Sequence, residues 1–361
     1  MSDRWNVSSK VIRALLARPE PWLRLVGQRQ PVWRDGRRLH RSLQLLLALG
    51  ERTGATGVST DWPRARSEMR RLVKMSSPVR TNVHAVDRVV PGPDGDIPVR
   101  VYRPYGEVGP LSGVVYLHGG GFAVGDLDTH DPTCRVMADV ARCVVVSVDY
   151  RLAPEHPFPA AIDDVTAAWT WVVDHPADLG IVPGQVGIMG DSAGANLAAA
   201  LCLEARRLGL PQPAAQCLVY PLVDTRFVFG SYDTFATGFG LSREGVELYR
   251  DTYVESPDDW TDPRVSPLCA SDLSGVAPAL VVTAGFDVLR DDGQAYADAL
   301  AAAGVPVTYR CYDDMMHGFH AMLVLDDAAA AADAIAAEVG RMLVDEAATG
   351  AVAAAVDGAS S

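Results

Sequence analysis

Three residue types that act together in acyl transfer stand in this chain, each just beyond an apolar run: Ser192, Asp287 and His317. A serine hydroxyl is a poor nucleophile unless a base takes its proton and the chain presents it clear of its neighbours. A histidine can be that base, and a carboxylate can hold the imidazole in the required tautomer. Ser192 sits in Gly190-Asp191-Ser192-Ala193-Gly194, directly after Val186-Gly187-Ile188-Met189 and directly before the helix-forming run Ala195 to Leu201. The pattern reads as strand, tight turn and helix, with the serine at the apex and glycines where Cβ atoms would collide. Alone it would arise by accident in roughly one chain of seven, so its surroundings must carry the assignment.

Those surroundings are elements able to position the three residues. Gly113-Val114-Val115-Tyr116-Leu117 reads as a buried strand running into His118-Gly119-Gly120-Gly121-Phe122, a loop whose missing side chains leave backbone N–H groups accessible. Ala279 to Thr283 is another apolar strand and delivers Asp287; Val307 to Tyr312 delivers His317 in the same way. Nucleophile, acid and histidine thus follow in the order of the α/β-hydrolases, at the strand ends where ligands collect in parallel sheets. The N–H of Ala193, with those of Gly120 and Gly121, would form the oxyanion hole, each such donor being worth about 3 kcal/mol in a transition state.

Together with Asp149-Tyr150-Arg151-Leu152-Ala153-Pro154-Glu155, Asp287-Val288-Leu289-Arg290-Asp291 and His317-Gly318-Phe319, these motifs resemble the bacterial hormone-sensitive-lipase family of carboxylesterases. The resemblance covers residues from about 85 to 340 and departs from the family pattern at Val288, where proline is usual. It implies an α/β-hydrolase fold, a mostly parallel sheet flanked by helices, and hydrolysis of short- to medium-chain acyl esters without cofactor or metal. It also implies a helical cap from residues 1–82, which carry no matching motif. Tyr150 and Phe122 are candidates for substrate contact, with core packing as the other reading of Phe122. Glu155 is a candidate buried carboxylate.

Each assignment has a rival. Ser192 could serve only as a helix N-cap. His320 competes with His317, and Asp291, Asp292, Asp313 and Asp314 compete with Asp287; Asp291 and Asp292 suit the first turn of a helix instead. His118, at a strand end, reads as structural. An amidase or lactone hydrolase would use the same machinery, and a non-catalytic binding protein could keep the pocket.

The whole chain bounds these readings. Apolar residues make up 48% of the 361, ample for one large α/β domain. Residues 83–345 read as that catalytic domain, beginning with a strand pair whose turn is Pro91 to Asp96. Residues 225–265, aromatic and too long for a simple connection, read as a second cap piece forming an apolar wall. The Ala-rich stretch 346–361 reads as a flexible tail. No run of about 18 apolar residues could span a bilayer. The six cysteines lack paired spacing, so a reducing cytoplasmic address is expected. The eight histidines form no ligand-spaced cluster.

The net charge of −13 conceals a polarity: residues 1–80 hold 17 Lys and Arg against 6 Asp and Glu, a balance of +11, leaving −24 for the rest. A cap must dock, and opposite charge favours docking on the chain's own acidic body. Contact with anionic lipid or an acidic partner is the alternative. A small ester is the expected ligand, nucleic acid is not, and self-association into a homodimer stays open.

Overall fold

Strands buried on both faces should read as continuous apolar runs, and those runs form the middle of the molecule. The computed structural model describes the backbone of residues 3–4, 7–53 and 59–358. Its main sheet has eight strands: β1 (Val83–Gly92), β2 (Gly95–Pro104), β3 (Leu111–Leu117), β4 (Val144–Val148), β5 (Ile181–Asp191), β6 (Gln216–Val219), β7 (Ala279–Phe286) and β8 (Val307–Met316). Their spatial order is β8-β7-β6-β5-β3-β4-β2-β1. Neighbours from β8 to β4 run parallel; β2 runs antiparallel to both β4 and β1. Every residue of β4 and β7 is buried. The β1–β2 turn is tighter than expected, because Pro91 pairs with Asp96 and Gly92 with Gly95, leaving Pro93-Asp94 alone as the turn.

Helices flank this sheet. The helix Asp131–Ala141 packs with Asp326–Gly358, and Ala160–Asp174 packs with Ala193–Leu208. In the long final helix the backbone is helical through Gly358, in keeping with the high helix propensity of alanine. Residues 359–361 lie outside the described residues.

The N-terminal segment forms the helices Val7–Leu16, Pro19–Leu25, Arg41–Thr53 and Trp62–Ser76. Pro19 and Pro63 begin helices here instead of breaking them, since the first turn needs no N–H from those positions. Among the described residues of this segment, Leu16, Leu23, Leu39 and Leu43 join the core of the sheet domain. Trp62 builds a small separate cluster with Ala123 and Val124, against which Leu248 and Tyr249 pack.

The charge polarity is used across this contact. Arg13 pairs with Asp326 at 2.7 Å, Arg37 with Asp313 at 2.8 Å, Arg66 with Glu155 at 2.7 Å and Arg80 with Asp139 at 2.9 Å. Arg70 pairs with Asp126. The basic segment therefore lies on the acidic body of its own chain. Among the described residues, no helix is long and apolar enough to cross a membrane.

Candidate active site

Strand β5 ends at Asp191 and the next helix starts at Ala193, so the chain must reverse within Ser192. Its backbone is accordingly forced to φ +56°, ψ −119°, a strained conformation for a residue with a Cβ. The flanking glycines make the turn possible. A Cβ on Gly194 would lie 2.6 Å from the His118 carbonyl oxygen and nearer still to that of Leu117, and one on Gly190 would lie 2.7 Å from the Ala195 nitrogen.

The structure brings the three separated residues together. Ser192 Oγ lies 3.0 Å from His317 Nε2, and His317 Nδ1 lies 2.7 Å from Asp287 Oδ2. Asp287 is buried, and its other oxygen accepts the Leu289 N–H at 2.9 Å. With Nδ1–H donated to the carboxylate, Nε2 carries the lone pair that faces the serine hydroxyl. Ser192 occupies the N-cap position but makes no capping bond with its side chain. The rival acids are engaged elsewhere: Asp291 accepts the Ser231 N–H at 2.9 Å, Asp313 holds Arg37, and burial pushes the Asp292 carboxyl well above its usual range. His320 is buried, which pulls its pKa down to about 4.

The glycine loop beside Ser192 turns back on itself. Gly120 and Gly121 adopt φ of +124° and +60°, and the Gly120 carbonyl accepts the N–H groups of Ala123 at 3.1 Å and Val124 at 3.0 Å. Among the described residues, no acceptor takes the N–H of Gly120, Gly121 or Ala193. Ala193 also opens a long helix, whose N-terminal end favours negative charge.

Beneath the loop lies a buried polar layer. Asp191 Oδ1 accepts the Tyr116 hydroxyl at 2.9 Å and the Gly119 N–H at 3.0 Å, with His130 Nε2 at 3.4 Å. Burial alone would raise the Asp191 carboxyl, but the charge and hydrogen bond of His130 outweigh it and hold the group below the usual range. The Nδ1–H of His118 donates to the Gly119 carbonyl at 2.8 Å, and burial lowers the pKa of this ring to about 4. His118 is thus structural, as its place at the strand end suggested.

One expectation changes, and two candidate contact residues are placed. Tyr150 is buried and stacks on His118 at 4.3 Å between ring centroids, and its hydroxyl is donated to the His118 carbonyl at 2.6 Å. It supports the loop from below. Phe122 is buried and stacked on Tyr253 at 3.9 Å between ring centroids, the packing use of that residue. Glu155 is not buried: its side chain is 49% exposed, and Arg66 bonds both its oxygens.

Arg66 itself escaped the sequence reading. Its guanidinium also donates to the Ala123 carbonyl at 2.8 Å and the Ala153 carbonyl at 3.0 Å, tying the N-terminal helix to the segment just after the glycine loop. Nothing in the spacing links these positions. Tyr220 was missed too; its ring packs on His317 at 4.5 Å between centroids. It follows β6 directly, so the strand-end rule that found Asp287 and His317 would have flagged it.

Aromatic residues from the stretch after β6 pack against the acid side of the site. Phe235 and Phe239 pack on Phe286, the residue before Asp287, at 5.7 and 5.3 Å between ring centroids. Arg250 lies over the Trp260 ring at 3.8 Å.

Comparisons with known proteins show the family. A family model described as alpha/beta hydrolase fold matches residues 114–321. The carboxylic ester hydrolase LipN of Mycobacterium tuberculosis is 42% identical over 90% of this chain and 88% of its own. That share is too large to lie wholly beyond residue 80. An ethyl acetate hydrolase of Pseudomonas putida is 40% identical over 63% of this chain and 72% of its own. The solved structure of ester-hydrolase EH1AB1, from the metagenome of Lake Arreo and complexed with a bipyridine phosphonate derivative, superposes with a TM-score of 0.79 at 38% identity, covering 83% of this chain and 97% of that one. The chain therefore belongs to the α/β-hydrolase family, among carboxylic ester hydrolases of the hormone-sensitive-lipase type.

Proposed function

We propose that the protein hydrolyses short- to medium-chain acyl esters through an acyl-enzyme on Ser192. The observation that carries this reading is the Asp287–His317–Ser192 relay, at 2.7 and 3.0 Å, beside three unclaimed backbone N–H groups. His317 Nε2 takes the Ser192 proton as Oγ attacks the ester carbonyl, and the resulting imidazolium is stabilised by Asp287. The carbonyl oxygen becomes an oxyanion held by the N–H groups of Ala193, Gly120 and Gly121. The tetrahedral intermediate collapses, His317 returns the proton to the leaving alkoxide, and the alcohol departs. Water then repeats the sequence on the acyl-enzyme, its proton passing to His317, and releases the carboxylic acid.

The N-terminal segment and residues 225–265 act together as the cap over this site, the Trp62–Tyr249 contact joining the two pieces at 5.8 Å between ring centroids. A series of p-nitrophenyl esters of increasing acyl length tests the proposal, with Ser192→Ala as control and the matching anilides alongside. Turnover with an optimum among the shorter acyl chains, absent in Ser192→Ala, is the expected result. Full activity in that variant, or faster cleavage of anilides than of esters, contradicts it.

A further inference from the structure

We propose that the N-terminal segment is a docking face for an anionic lipid surface, and that it turns the Ser192 side of the molecule toward that surface. The first observation is an uneven distribution of exposed apolar groups. Trp22 is 42% exposed, Leu25 77% and Trp33 62%, and these two tryptophans are the exposed ones among the described residues. Trp22 and Leu25 are three apart on the helix Pro19–Leu25 and share a face, while Leu23 between them is fully buried.

The second observation is charge. Arg13, Arg37, Arg66 and Arg70 are held by carboxylates of the sheet domain. Arg18, Arg29 and Arg34 are exposed, and among the described residues their guanidinium groups form no ion pair. These three cations neighbour the exposed apolar residues in sequence. Arg41 joins them in space: it bonds Glu20 at 2.7 Å and the backbone carbonyls of Gln30 at 3.1 Å and Arg29 at 3.4 Å.

The third observation is place. The hairpin of Trp33–Arg34 with Arg37–Arg38 is fixed to the catalytic loops. Arg37 Nε bonds Asp313 at 2.8 Å, the His40 N–H bonds the Asp314 carbonyl at 2.9 Å, and Arg290 bonds Asp35 at 2.7 Å. Asp313 and Asp314 precede His317, and Arg290 follows Asp287, so the hairpin bearing Trp33 stands beside the loops that carry the histidine and the acid. Interfacial tryptophans with an apolar body, flanked by arginines whose stems can reach headgroups, are suited to an anionic bilayer surface. A chain of net charge −13 is repelled by such a surface everywhere except through a cationic face, so contact would be oriented.

Flotation of the Ser192→Ala protein with vesicles tests this without any hydrolysis of the lipid. Binding to phosphatidylglycerol vesicles at low salt, with little on phosphatidylcholine and release at high salt, is expected. Arg18→Gln/Arg29→Gln/Arg34→Gln should weaken partitioning on the order of a hundredfold, at about fivefold per charge near the surface. Trp22→Ser/Leu25→Ser/Trp33→Ser should also weaken it, and with Ser192 restored both triple variants should hydrolyse a water-soluble ester at the wild-type rate. The proposal is overturned by absence of binding at low salt, by equal binding to both lipids, or by retention of binding in both triple variants. A dimer seen by light scattering that Trp22→Ser/Leu25→Ser/Trp33→Ser dissociates, with no vesicle binding, would assign the face to a second copy instead. The docking rests on the surface and not on the esterase reading; failure of the latter would appear only in the soluble-ester assay.

Discussion

Arg66 offers a sharp test of how the N-terminal segment and the chemistry are coupled. Its guanidinium is about one-fifth exposed and makes two kinds of contact: paired bonds to Glu155 at 2.7 and 3.0 Å, and bonds to the Ala123 and Ala153 carbonyls at 2.8 and 3.0 Å. The Glu155 pair should add less than about 1 kcal/mol, because that carboxylate is half exposed and screened. The carbonyl contacts matter more, since a charged donor to a carbonyl contributes roughly 1.5–3 kcal/mol and both alanines are buried. Water can refill part of the vacated space, which puts the cost of Arg66→Ala at about 2–4 kcal/mol. That loss falls on the segment holding Ala123, whose N–H in turn bonds Gly120. Losing one oxyanion donor outright costs about 10²–10³ in kcat. A loop displaced for part of the time should lose less, so kcat should fall by about ten- to a hundredfold while KM changes less than about threefold. Steady-state hydrolysis of p-nitrophenyl butyrate, with thermal unfolding on the same samples, measures both. Glu155→Gln should be nearly silent, and Arg66→Lys should recover part of kcat. A folded Arg66→Ala protein with wild-type kcat, or a Glu155→Gln variant as impaired as Arg66→Ala, would refute the reasoning.

Three further outcomes are expected. Asp287→Asn should leave the fold intact yet lower kcat by about 10⁴, because an amide facing Nδ1 favours the wrong imidazole tautomer; a loss under tenfold in ester turnover would remove Asp287 from the triad. Gly194→Ala should cost about 3 kcal/mol or more, as its methyl must enter the space of the Leu117 and His118 carbonyls; an unchanged urea midpoint would show that the turn can relax. Two buried rings should also make stability depend on pH. His118 and His320 have folded pKa values near 4 because of burial, below the unfolded value, so the unfolded chain binds protons that the folded one refuses. Their contribution is complete above about pH 6.5 and is lost as pH drops toward 4, at about 1.4 kcal/mol per unit for each ring. Asp149, pushed up to about 6 by burial, and Asp292, held well above its usual range, work in the opposite sense and offset them. His320→Phe should therefore gain stability relative to the parent protein as pH drops from 7.5 to 4.5; a difference in urea midpoint that does not change with pH would contradict a buried neutral ring at 320.

Much of the site was legible because its parts obey local rules. A parallel strand buried on both faces announces itself as an unbroken apolar run, and the residue just past its end is exposed to the ligand side by topology alone. That logic located Ser192, Asp287 and His317 across gaps of many residues, and the Gly-Gly-Gly loop was visible from the absence of side chains. Local rules served less well where a residue's surroundings come from distant chain. Tyr150 lies in a motif, yet whether its hydroxyl meets a ligand or the His118 carbonyl depends on what stacks above it. Glu155 lost its expected burial to an arginine 89 positions upstream.

The sequence by itself therefore determined the strand order of function along the chain, the tight serine turn and the opposed charges of the N-terminal segment and the body. Tertiary structure alone decided which arginine reaches which carboxylate, which donors stay unclaimed beside Ser192, and which face of the N-terminal segment keeps its tryptophans and cations in solvent. The reason is physical: turns and buried strands are written in the steric and apolar character of adjacent residues, whereas hydrogen bonds and ion pairs between distant segments exist only once packing has fixed the distance between them.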